Sequence, residues 1–526
     1  MAITNRSSLD TGQENEIILE ILSYAGGENT LSEDHVMEAN EARVVENWDA
    51  VSIGGMQRSK GFNLVASGAG ATASDLAHFH FEDSTAAGQF LGIIGGNLVK
   101  VNGAAVTTIT AGVFTSGILS HAAEGEDDSW ITNSTNNLRR YTIAGGLTTP
   151  ASQPSSAKER IYRHKNRLIA EGGSPRIHGS RVGVGNWVAA NAWSLANDAW
   201  NIDIPNNSKG CAVGFPSGDT ITVFDKFRAY LLSGFPNTRF DPLPNSRGCA
   251  APLSIAVGDE GVYFLSDYPT LDVILWDGVK FIPITKRITD SFVEKIDLSK
   301  RVFGVYRDNS YHIFYNELNS GVSYPNRWKI FSTKANSARW MSRIVNANLS
   351  DNMGYPALLT KQNNELYAWS SKKKVIYDLE TADDSDDGND TDANYKTKDY
   401  TSRDFLSSAG ARSVPIDEAL IKLTKVTITY FGTTGVLTFQ WTADRGRVSG
   451  SQTFDLSAGG DLINTTFIVN TSEIVDASSI SDKKITKSLS NSAVGRTFNF
   501  QLLNSGTSTR PKIKKIKVHG LLVTED

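Results

Sequence analysis

The chain has 526 residues, of which 40% are apolar and 21% charged, and its formal net charge is −5 at pH 7. So mild a charge on so long a chain argues against a general binder of nucleic acid or of anionic membranes. No stretch approaches the ~18 consecutive apolar residues of a membrane helix, and the start MAITNRSSLD lacks a basic region followed by an apolar one. We therefore expect no membrane insertion, and folding in a cytoplasm.

Residues 1–40 are predicted to form an N-terminal arm. Strand–turn–strand patterns then recur along the chain. In each pattern, alternating apolar residues form a strand, a turn rich in glycine, asparagine or aspartate follows, and a second strand completes a hairpin. The hairpins lie at Phe90–Gly103, Ser129–Gly146, Arg160–Gly173, Asp219–Gly234, Gly261–Ile284, Arg301–Asn316 and Ala357–Leu379.

The spacing of these hairpins indicates a propeller. Steps from one hairpin to the next are irregular but average near the ~40–50 residues of a propeller blade. A ring of small sheets around a central channel leaves only short, protected strand edges, which an all-β chain requires. Helical periodicity is scarce, with residues 186–200 the main ambiguous stretch. We predict an all-β protein with an irregular β-propeller over residues 41–380.

The repeat stops at an aspartate-rich segment. Residues 381–394 lack the apolar residues that could anchor a core, and we predict an acidic linker. Apolar residues alternate again in stretches such as Val426–Tyr430 and Leu437–Trp441. The prediction for residues 395–526 is a C-terminal β-sandwich of ordinary domain size.

Signatures of common enzymes are missing from the sequence. It contains no serine nucleophile elbow, no phosphate-binding loop ending in Gly-Lys-Ser/Thr and no His-Glu-x-x-His zinc pattern. Propeller glycosidases that cleave sialic acid often carry a Ser-x-Asp-x-Gly-x-Thr-Trp turn, and the nearest stretch, Ser217–Ile221, lacks its glycine and tryptophan. We predict no enzyme, and no catalytic, cofactor-binding or metal-binding residues.

Two charged segments are candidate ion-binding sites. Asp383, Asp387 and Gly388 have spacings that resemble a calcium-binding EF-hand loop, but Asn394 stands where a bidentate glutamate is needed, which favours a solvated linker. The basic stretch Arg510–Gly520 could hold phosphate through Lys512, Lys514, Lys515 and Lys517. However, Lys515 and Lys517 alternate with Ile516 and Val518, as on the wet face of a half-buried strand.

Histidines and cysteines give weak signals. His78 and His80 are spaced to share one face of a strand and could start a metal site, but no third ligand is visible nearby. Cys211 and Cys249 fit neither a zinc knuckle nor a redox dithiol, so we interpret both as reduced core thiols.

Tryptophans allow two interpretations. They could form sugar-stacking platforms, or they could pack the blades of the propeller, and the sequence leaves both open. The residues concerned are Trp187, Trp193, Trp200, Trp276 and Trp369.

Three patches resemble, in the same order, a class of bacteriophage tail structural proteins. They are Glu41–Phe62, Tyr162–Gly183 and Gly248–Ser266. The second patch sets Arg-Leu, a glycine, a proline and a small-residue strand as that class does. In the first patch the matching residues are Ala42, Asn47, Gly54, Gly55, Arg58, Gly61 and Phe62, whereas Ser59 stands where proline is common.

Members of that class are β-propeller subunits of the nozzle, or tail hub, of short-tailed phages. The resemblance covers mainly residues 41–268 and implies a non-enzymatic virion protein, assembled in the host cytoplasm into the phage tail. It implies a ring of copies, a hexamer or a neighbouring symmetry, that extends the DNA channel below the portal and adaptor and helps retain and eject the genome.

Implied partners are other copies of the chain, adaptor or portal-proximal proteins, tail fibre or tip proteins, and double-stranded DNA. The DNA would pass without sequence-specific binding. A lumen that is acidic or neutral suits this role, because tight phosphate binding would stall ejection. The arm at residues 1–40 would reach a neighbouring copy.

Two other functions remain open. A carbohydrate-binding tail protein that recognises the host would keep the propeller and use its aromatic residues against glycans. An enzyme of unfamiliar type would need a cleft with paired carboxylates roughly 5–10 Å apart.

Overall fold

The structure is a computed structural model that describes most of the chain. The described residues are 16–21, 26–33, 37–38, 41–50, 55–68, 79–83, 86–125, 127–154, 158–172, 174–183, 187–205, 211–214, 220–236, 238–321, 325–333, 339–344, 355–359, 366–369, 375–379, 392–401, 404–407, 420–431, 435–456, 483–489, 493–505 and 511–523.

The chain divides into two compact units. The propeller unit comprises residues 62–330 and 344–381, and the terminal unit comprises residues 1–61, 331–343 and 382–526. Regular structure in the described residues is β-strand apart from short 3-10 segments such as Leu195–Asn197. Among those residues, no helix has the length and apolar character needed to cross a membrane.

In the described residues of the propeller unit, five consecutive groups of four antiparallel strands are named blades A to E; blades B to E are separate sheets, whereas blade A is one half of an eight-stranded sheet. Blade A is β7 (Phe79–Asp83), β8 (Ala86–Ile94), β9 (Asn97–Asn102) and β10 (Ala105–Thr110); blade B is β11 (Ser120–Glu124), β12 (Ser129–Asn133), β13 (Arg139–Thr142) and β14 (Gly146–Thr148); blade C is β15 (Arg160–His164), β16 (Arg167–Glu171), β17 (Arg176–Gly179) and β18 (Trp200–Asp203); blade D is β19 (Cys211–Gly214), β20 (Ile221–Phe224), β21 (Ala229–Ser233) and β22 (Arg239–Pro242); blade E is β23 (Ala256–Gly258), β24 (Gly261–Ser266), β25 (Asp272–Trp276) and β26 (Phe281–Pro283).

Two further groups of strands complete the unit. One contains β27 (Phe303–Arg307), β28 (Ser310–Tyr315) and β29 (Arg327–Ser332). The other, in sheet order, is β31 (Tyr355–Leu359), β32 (Leu366–Trp369), β33 (Val375–Asp378) and β6 (Asn63–Ser67). Because β6 comes from the start of the unit and β33 from its end, their antiparallel pairing closes the array.

First strands lie next to one another around the unit. Contacts link β7 to β11, β11 to β15 and β15 to β19, and others link β23 to β27, β27 to β31 and β31 back to β7. Such an arrangement surrounds an axis and leaves few free strand edges. The predictions of an all-β chain and of a propeller are confirmed.

Hydrophobic packing occurs between neighbouring blades. One cluster joins Leu168 of blade C to Trp130 of blade B, and another joins Ile177 of blade C to Ile221 and Leu232 of blade D. Fully burying an aliphatic side chain of this size contributes about 1.5–3 kcal/mol, so each interface stabilises two sheets at once. Second strands of the blades are accordingly buried on both faces, as the all-buried β24 shows.

Strands of the terminal unit come from both ends of the chain and from one internal segment. They are β1 (Glu16–Ile21), β2 (Gly27–Glu28), β3 (Glu41–Glu46), β4 (Trp48–Ala50), β5 (Met56–Arg58), β30 (Arg339–Ile344), β34 (Ala393–Thr401), β35 (Leu406–Ser407), β36 (Leu420–Phe431), β37 (Val436–Ala443), β38 (Val448–Asp455), β39 (Lys483–Ser488), β40 (Val494–Gly495), β41 (Thr497–Asn504) and β42 (Lys512–Val523).

These strands form two sheet regions. One has the order β35-β1-β42-β36-β39, and the other the order β30-β3-β34-β41-β37-β38. Buried and partly exposed residues alternate along β37 and β41, so each strand has one apolar face.

Domain boundaries differ in part from those predicted. Within residues 1–40, predicted as an arm, β1 pairs with β42 of the same chain, with Glu20 opposite Lys517. Apolar residues alternate in β1, and Ile17, Leu19 and Ile21 are buried. The propeller unit begins at Phe62 rather than at residue 41. Most of the predicted linker, 381–391, lies outside the described residues, and β34 begins inside its C-terminal end at Ala393, which is buried.

Candidate functional site

Blade C carries a local concentration of positive charge. Between Lys158 and Arg181 the sequence holds seven lysines and arginines against two glutamates, in a chain whose net charge is −5. The strands β15 to β17 bring these side chains into one blade. Some of these charges are neutralised inside the blade, and only the other charged side chains can contribute to binding a ligand.

Several of these charges are satisfied by structural contacts. Arg160 forms an ion pair of 2.9 Å with Glu171, whose side chain is almost fully buried. Arg176 donates two hydrogen bonds, of 2.6 and 2.7 Å, to the carboxylate of Asp203. Lys158, also buried, donates to the carbonyl oxygen of Arg176 at 3.2 Å. Burial lowers the pKa of Lys158, as does Arg176, while Asp203 opposes this shift.

Blades B and C also meet through a histidine. A ring nitrogen of His121 on β11, Nδ1, lies 2.8 Å from the carbonyl oxygen of Ile161 on β15. Burial, and then the charge of Arg160, lower the pKa of His121 to about 3, although the contact with Ile161 opposes the shift. The imidazole is therefore neutral at pH 7 and acts as an inter-blade link.

A cavity of about 490 Å³ lies where the β15–β16 hairpin meets blade D. We call it the basic cavity, because residues 164–167 of the hairpin (His164, Lys165, Asn166 and Arg167) line it and none of its described lining residues is acidic. Blade D contributes Thr220, Ser233 and Phe235, and aliphatic side chains such as Ile169 complete the wall.

The hairpin turn that presents these side chains is strained. Lys165 has φ of +51°, in the left-handed region that favours glycine. Arg167 holds the neighbouring loop, since its Nη1 donates to the carbonyl oxygens of Ser180 and, at 2.7 Å, of Asp198. Burial lowers the pKa of Arg167, and the carboxylate of Asp198 opposes this effect.

Several polar groups of the basic cavity lack a hydrogen-bond partner in the described part of the chain. The side chains of Asn166, Thr220 and Ser233 make no hydrogen bond with the described part of the chain. The Nε2 atom of His164 is buried and likewise has no partner there. Burial, and then the adjacent Lys165, lowers the pKa of His164, so this imidazole is neutral at pH 7.

The loop from Ser180 to Ala199 joins β17 to β18 and borders the cavity through Val182. Trp187 anchors this loop: it is fully buried, and its ring lies 6.4 Å from that of Trp130 in an edge-to-face arrangement. Other side chains of the same loop are exposed, with Leu195 at 61%.

The structure buries four of the five tryptophans considered as sugar platforms. Trp187, Trp200, Trp276 and Trp369 are at most 3% exposed. Trp193 is partly buried and packs against the cluster between blades B and C. In the structure these rings belong to the hydrophobic clusters of the blades.

The structure describes only some of the cysteines, histidines and aspartates that the sequence offers as candidate site residues. Cys249 is a buried free thiol, whereas the side chain of Cys211 lies outside the described residues. His78 and the run 383–391 lie outside them too, and for His80 only the backbone, in β7, is described. Searching the described residues finds no group of three or more potential metal ligands of the His, Cys, Asp and Glu types.

Lysines of β42 follow the predicted alternation, with Ile516 and Val518 buried between more exposed neighbours. Lys515 lies 2.8 Å from Glu20 of β1, and Lys517 forms an ion pair with the same carboxylate. Burial alone would raise the pKa of Glu20, but the hydrogen bonds and charges of the two lysines outweigh it and hold that pKa below its ordinary value.

Sequence analysis did not find the basic cavity. The sequence feature that could have indicated it is the run Arg163–Arg167 at a hairpin turn. Four of these five residues are basic or histidine. A run of this kind is usually a solvated turn, and only the structure brings Thr220 and Ser233 of the next blade beside it.

No protein-family model matches the chain, and no curated protein matches it. Among solved structures, similar ones include the WD40 β-propeller domain of Doa1, with 10% identity and a TM-score of 0.39 over 62% of this chain and 98% of that one. Another is the β-propeller domain of Cps50 (Swd1) from Myceliophteria thermophila, with 8% identity and a TM-score of 0.37 over 61% of this chain and 100% of that one.

A third similar structure is the extracellular domain of a one-component system from B. thetaiotaomicron. Its identity is 9% and its TM-score 0.41, over 61% of this chain. The chain spans only 40% of the length of that protein. At these identities and scores the likeness gives no information about function.

Proposed function

We propose that the chain is a non-enzymatic, ring-forming subunit of the nozzle, or tail hub, of a short-tailed bacteriophage. Copies would extend the DNA channel below the portal and adaptor and help to retain and eject the genome. The observation that carries this proposal is the similarity of three sequence patches, in order, to proteins of that class. An all-β chain with a propeller is the fold that this similarity implies.

Residues of the first patch, Glu41–Phe62, make contacts that stabilise the fold. Asn47 adopts φ of +56°, which asparagine tolerates, and its side chain donates to the carbonyl oxygen of Asp392 at 2.6 Å. Arg58 is 1% exposed and donates to Oδ1 of Asn504 at 3.1 Å. Residues that carry the resemblance thus hold the terminal unit together, which supports a structural protein.

We place one contact between copies on the β17–β18 loop. Three apolar side chains there are exposed: Val182 at 44%, Val188 at 41% and Leu195 at 61%. Long irregular connections in compact proteins are commonly functional, and exposed apolar side chains on an anchored loop suit a partner surface. Such a contact would be head-to-tail, since the loop of one copy would meet a different surface of the next, and head-to-tail contacts form a ring where the rotation between copies closes.

Further parts of the proposal follow from the resemblance. The two sheet regions of the terminal unit would form a β-sandwich, whose alternating buried residues on β37 and β41 suit sheet-on-sheet packing. Adaptor or portal-proximal proteins would dock on one side of the ring and fibre or tip proteins on the other. The lumen would be acidic or neutral, so that DNA slides without being held.

The loop contact can be tested in phage particles that carry a single substitution. Leu195→Asp places a charge in the proposed interface and should yield particles that lack tails and lose DNA. Val279→Asp is the matched control, because Val279 is 83% exposed in the β25–β26 turn of blade E. Normal, DNA-retaining particles with Leu195→Asp, alongside a folded protein, would refute the loop as a ring contact.

A carbohydrate-binding tail protein is the second candidate. Burial of the tryptophans removes its predicted platform, but another aromatic pair is available: Phe227 and Tyr268 are 50% and 52% exposed, with ring centroids 5.5 Å apart. Neutral glycans bound by the isolated chain on a glycan array, with loss on Phe227→Ala, would support this candidate.

A further inference from the structure

We propose that Ser174, in the β16–β17 turn of blade C, is a nucleophile that accepts an acyl group from an ester, with Lys158 as its general base. The two side chains are in contact, since Nζ of Lys158 lies 3.0 Å from Oγ of Ser174. The nozzle role requires no reaction, so this activity goes beyond the proposed function and does not depend on it.

Lys158 is buried without an acidic partner. Only 1% of this lysine is exposed. In the described part of the chain its Nζ contacts two neutral oxygens, Oγ of Ser174 and the carbonyl oxygen of Arg176 at 3.2 Å, and forms no ion pair. A buried ammonium group without a carboxylate partner is costly, and burial of this kind favours the neutral amine.

Nearby charges act in the same direction. Burial, and then the guanidinium of Arg176, lower the pKa of Lys158, while the carboxylate of Asp203 opposes the shift. Asp203 is itself held by Arg176 through two hydrogen bonds, of 2.6 and 2.7 Å. Burial is the largest cause that lowers the pKa of His178 to about 4, so this neighbour is uncharged at pH 7. Lysines with a lowered pKa serve as general bases.

Hydrogen bonds around Ser174 suit proton transfer to a neutral lysine. A neutral amine has two N–H donors and one lone pair. One N–H of Lys158 donates to the carbonyl oxygen of Arg176, and the lone pair accepts the hydroxyl proton of Ser174. The backbone N–H of Arg176 donates to Oγ of Ser174 at 3.4 Å, which leaves the second lone pair of that oxygen for attack. Nucleophile and base within hydrogen-bond reach are the arrangement that activates a serine.

The backbone beside each member of the pair is anchored, and the nucleophile is accessible. The N–H of Ile204 donates to the carbonyl oxygen of Pro175 at 2.9 Å. On the other side, Oγ1 of Thr132 in blade B donates to the carbonyl oxygen of Lys158 at 2.9 Å. Ser174 is itself partly exposed, so an ester can reach its Oγ without any opening of the blade.

The reaction proceeds by acylation and then hydrolysis. As Oγ of Ser174 forms a bond to the acyl carbon, Lys158 takes the hydroxyl proton; the ester C–O bond then breaks, and Lys158 returns that proton to the departing alcohol. Water releases the acid from the acyl-serine by the same proton transfers. The backbone N–H of Ser174 has no partner in the described part of the chain and is available to donate to the oxyanion.

Labelling of the full-length chain by a fluorophosphonate tests the nucleophile. This probe forms a covalent bond to the oxygen of an activated serine with loss of fluoride, and mass spectrometry of peptides locates the adduct. We expect the adduct on Ser174. With p-nitrophenyl acetate, we expect release of p-nitrophenolate together with an acetyl group on the same serine.

Variants assign the two roles. Ser174→Ala should abolish the labelling. Lys158→Arg keeps a positive charge and hydrogen-bond donors but cannot lose its proton, so it should slow labelling of Ser174 about a hundredfold, at the lower end of the ~10²–10⁴-fold effect of a general base. Ser299→Ala is the matched control, because Ser299 is exposed and donates to the carboxylate of Asp297 at 2.6 Å; its loss should leave labelling unchanged.

The pH dependence of the parent chain distinguishes a general base from a merely structural lysine. With Lys158 as the base, the labelling rate should rise with pH and level off at the pKa of this lysine, below its ordinary value of 10.5. A serine that depends on hydroxide from solvent would instead react about tenfold faster for each pH unit, without levelling.

Each outcome decides the proposal. An adduct on Ser174 that is slowed in Lys158→Arg and kept in Ser299→Ala, with a rate that levels off, supports it. Absence of the adduct, absence of acetylation of Ser174, unchanged labelling in Lys158→Arg, or a rate that rises without levelling overturns it. Melting temperatures show whether the variants fold, and if Lys158→Arg does not, the pH profile of the parent chain decides.

Discussion

Substituting Gly179 by alanine tests the packing that supports both blade C and the basic cavity. An added Cβ would lie 2.1 Å from Cε2 and 2.3 Å from Nε1 of Trp200. Unstrained carbon contacts are ~3.5–4.0 Å, so the indole would have to retreat by more than about 1 Å. Trp200 is 2% exposed and packs against Phe235, which leaves it little room to move.

The size of the effect follows from two opposing contributions. Overpacking of a core costs ~1–3 kcal/mol, whereas replacing glycine by alanine stabilises by ~0.4–1 kcal/mol through the unfolded chain. The overlap at Gly179 is severe, so we expect a net loss of about 1–2 kcal/mol. Gly145→Ala is the control: its added Cβ meets only the hydroxyl of Thr142, at 2.9 Å in an exposed turn, and should change stability by less than ~0.5 kcal/mol.

A double-mutant cycle separates this clash from a general loss of stability. Trp200→Phe shortens the ring that the new methyl group would strike, so Gly179→Ala combined with Trp200→Phe should cost at least ~1 kcal/mol less than the sum of the two single changes. Urea unfolding gives the free energies, and amide hydrogen exchange in β17 and β18 localises the effect to blade C. Full additivity, or a Gly179→Ala variant as stable as the parent chain, would refute this packing.

Two further predictions concern pH. Glu20→Gln should lower the free energy of unfolding by about 0.5–1 kcal/mol at pH 7, because it removes the charged partner of Lys515 and Lys517. The difference between variant and parent should fade as pH falls through the lowered pKa of Glu20, because the parent then loses the same charge. His121 is neutral in the folded chain, its pKa lowered to about 3 by burial and by Arg160, so stability should fall as pH drops below 6.5, the ordinary value, by up to about 1.4 kcal/mol per pH unit. His121→Gln should flatten that slope in urea titrations at pH 7 and 5; an unchanged slope would contradict the assignment.

Local patterns made the strands predictable. All seven predicted hairpins fall on adjacent paired strands, as Gly261–Ile284 does on β24, β25 and β26. Alternating apolar residues and turn residues act over short sequence distances, so one sequence is enough to find them. β23, the first strand of blade E, has only three residues, and its pattern is too short to be detected.

Pairings between distant segments could not be predicted. The closure of β6 on β33 and the pairing of β1 with β42 join residues hundreds of positions apart, and alternation along a strand does not name its partner. The stretch 186–200 was ambiguous between helix and strand, and its residues 187–199 form turns and a short 3-10 segment around the buried Trp187. The basic cavity was missed for the same reason, because its two walls come from different blades.

Imaging of phage particles tests the central claim most directly. Electron cryomicroscopy of virions, with an antibody or a small tag to mark this chain, locates it without assuming a ring number. The proposal predicts a closed ring of copies on the tail axis below the portal and adaptor, with DNA or an open channel at its centre. Finding the chain on the capsid exterior, or finding complete and infectious particles without it, would contradict the account.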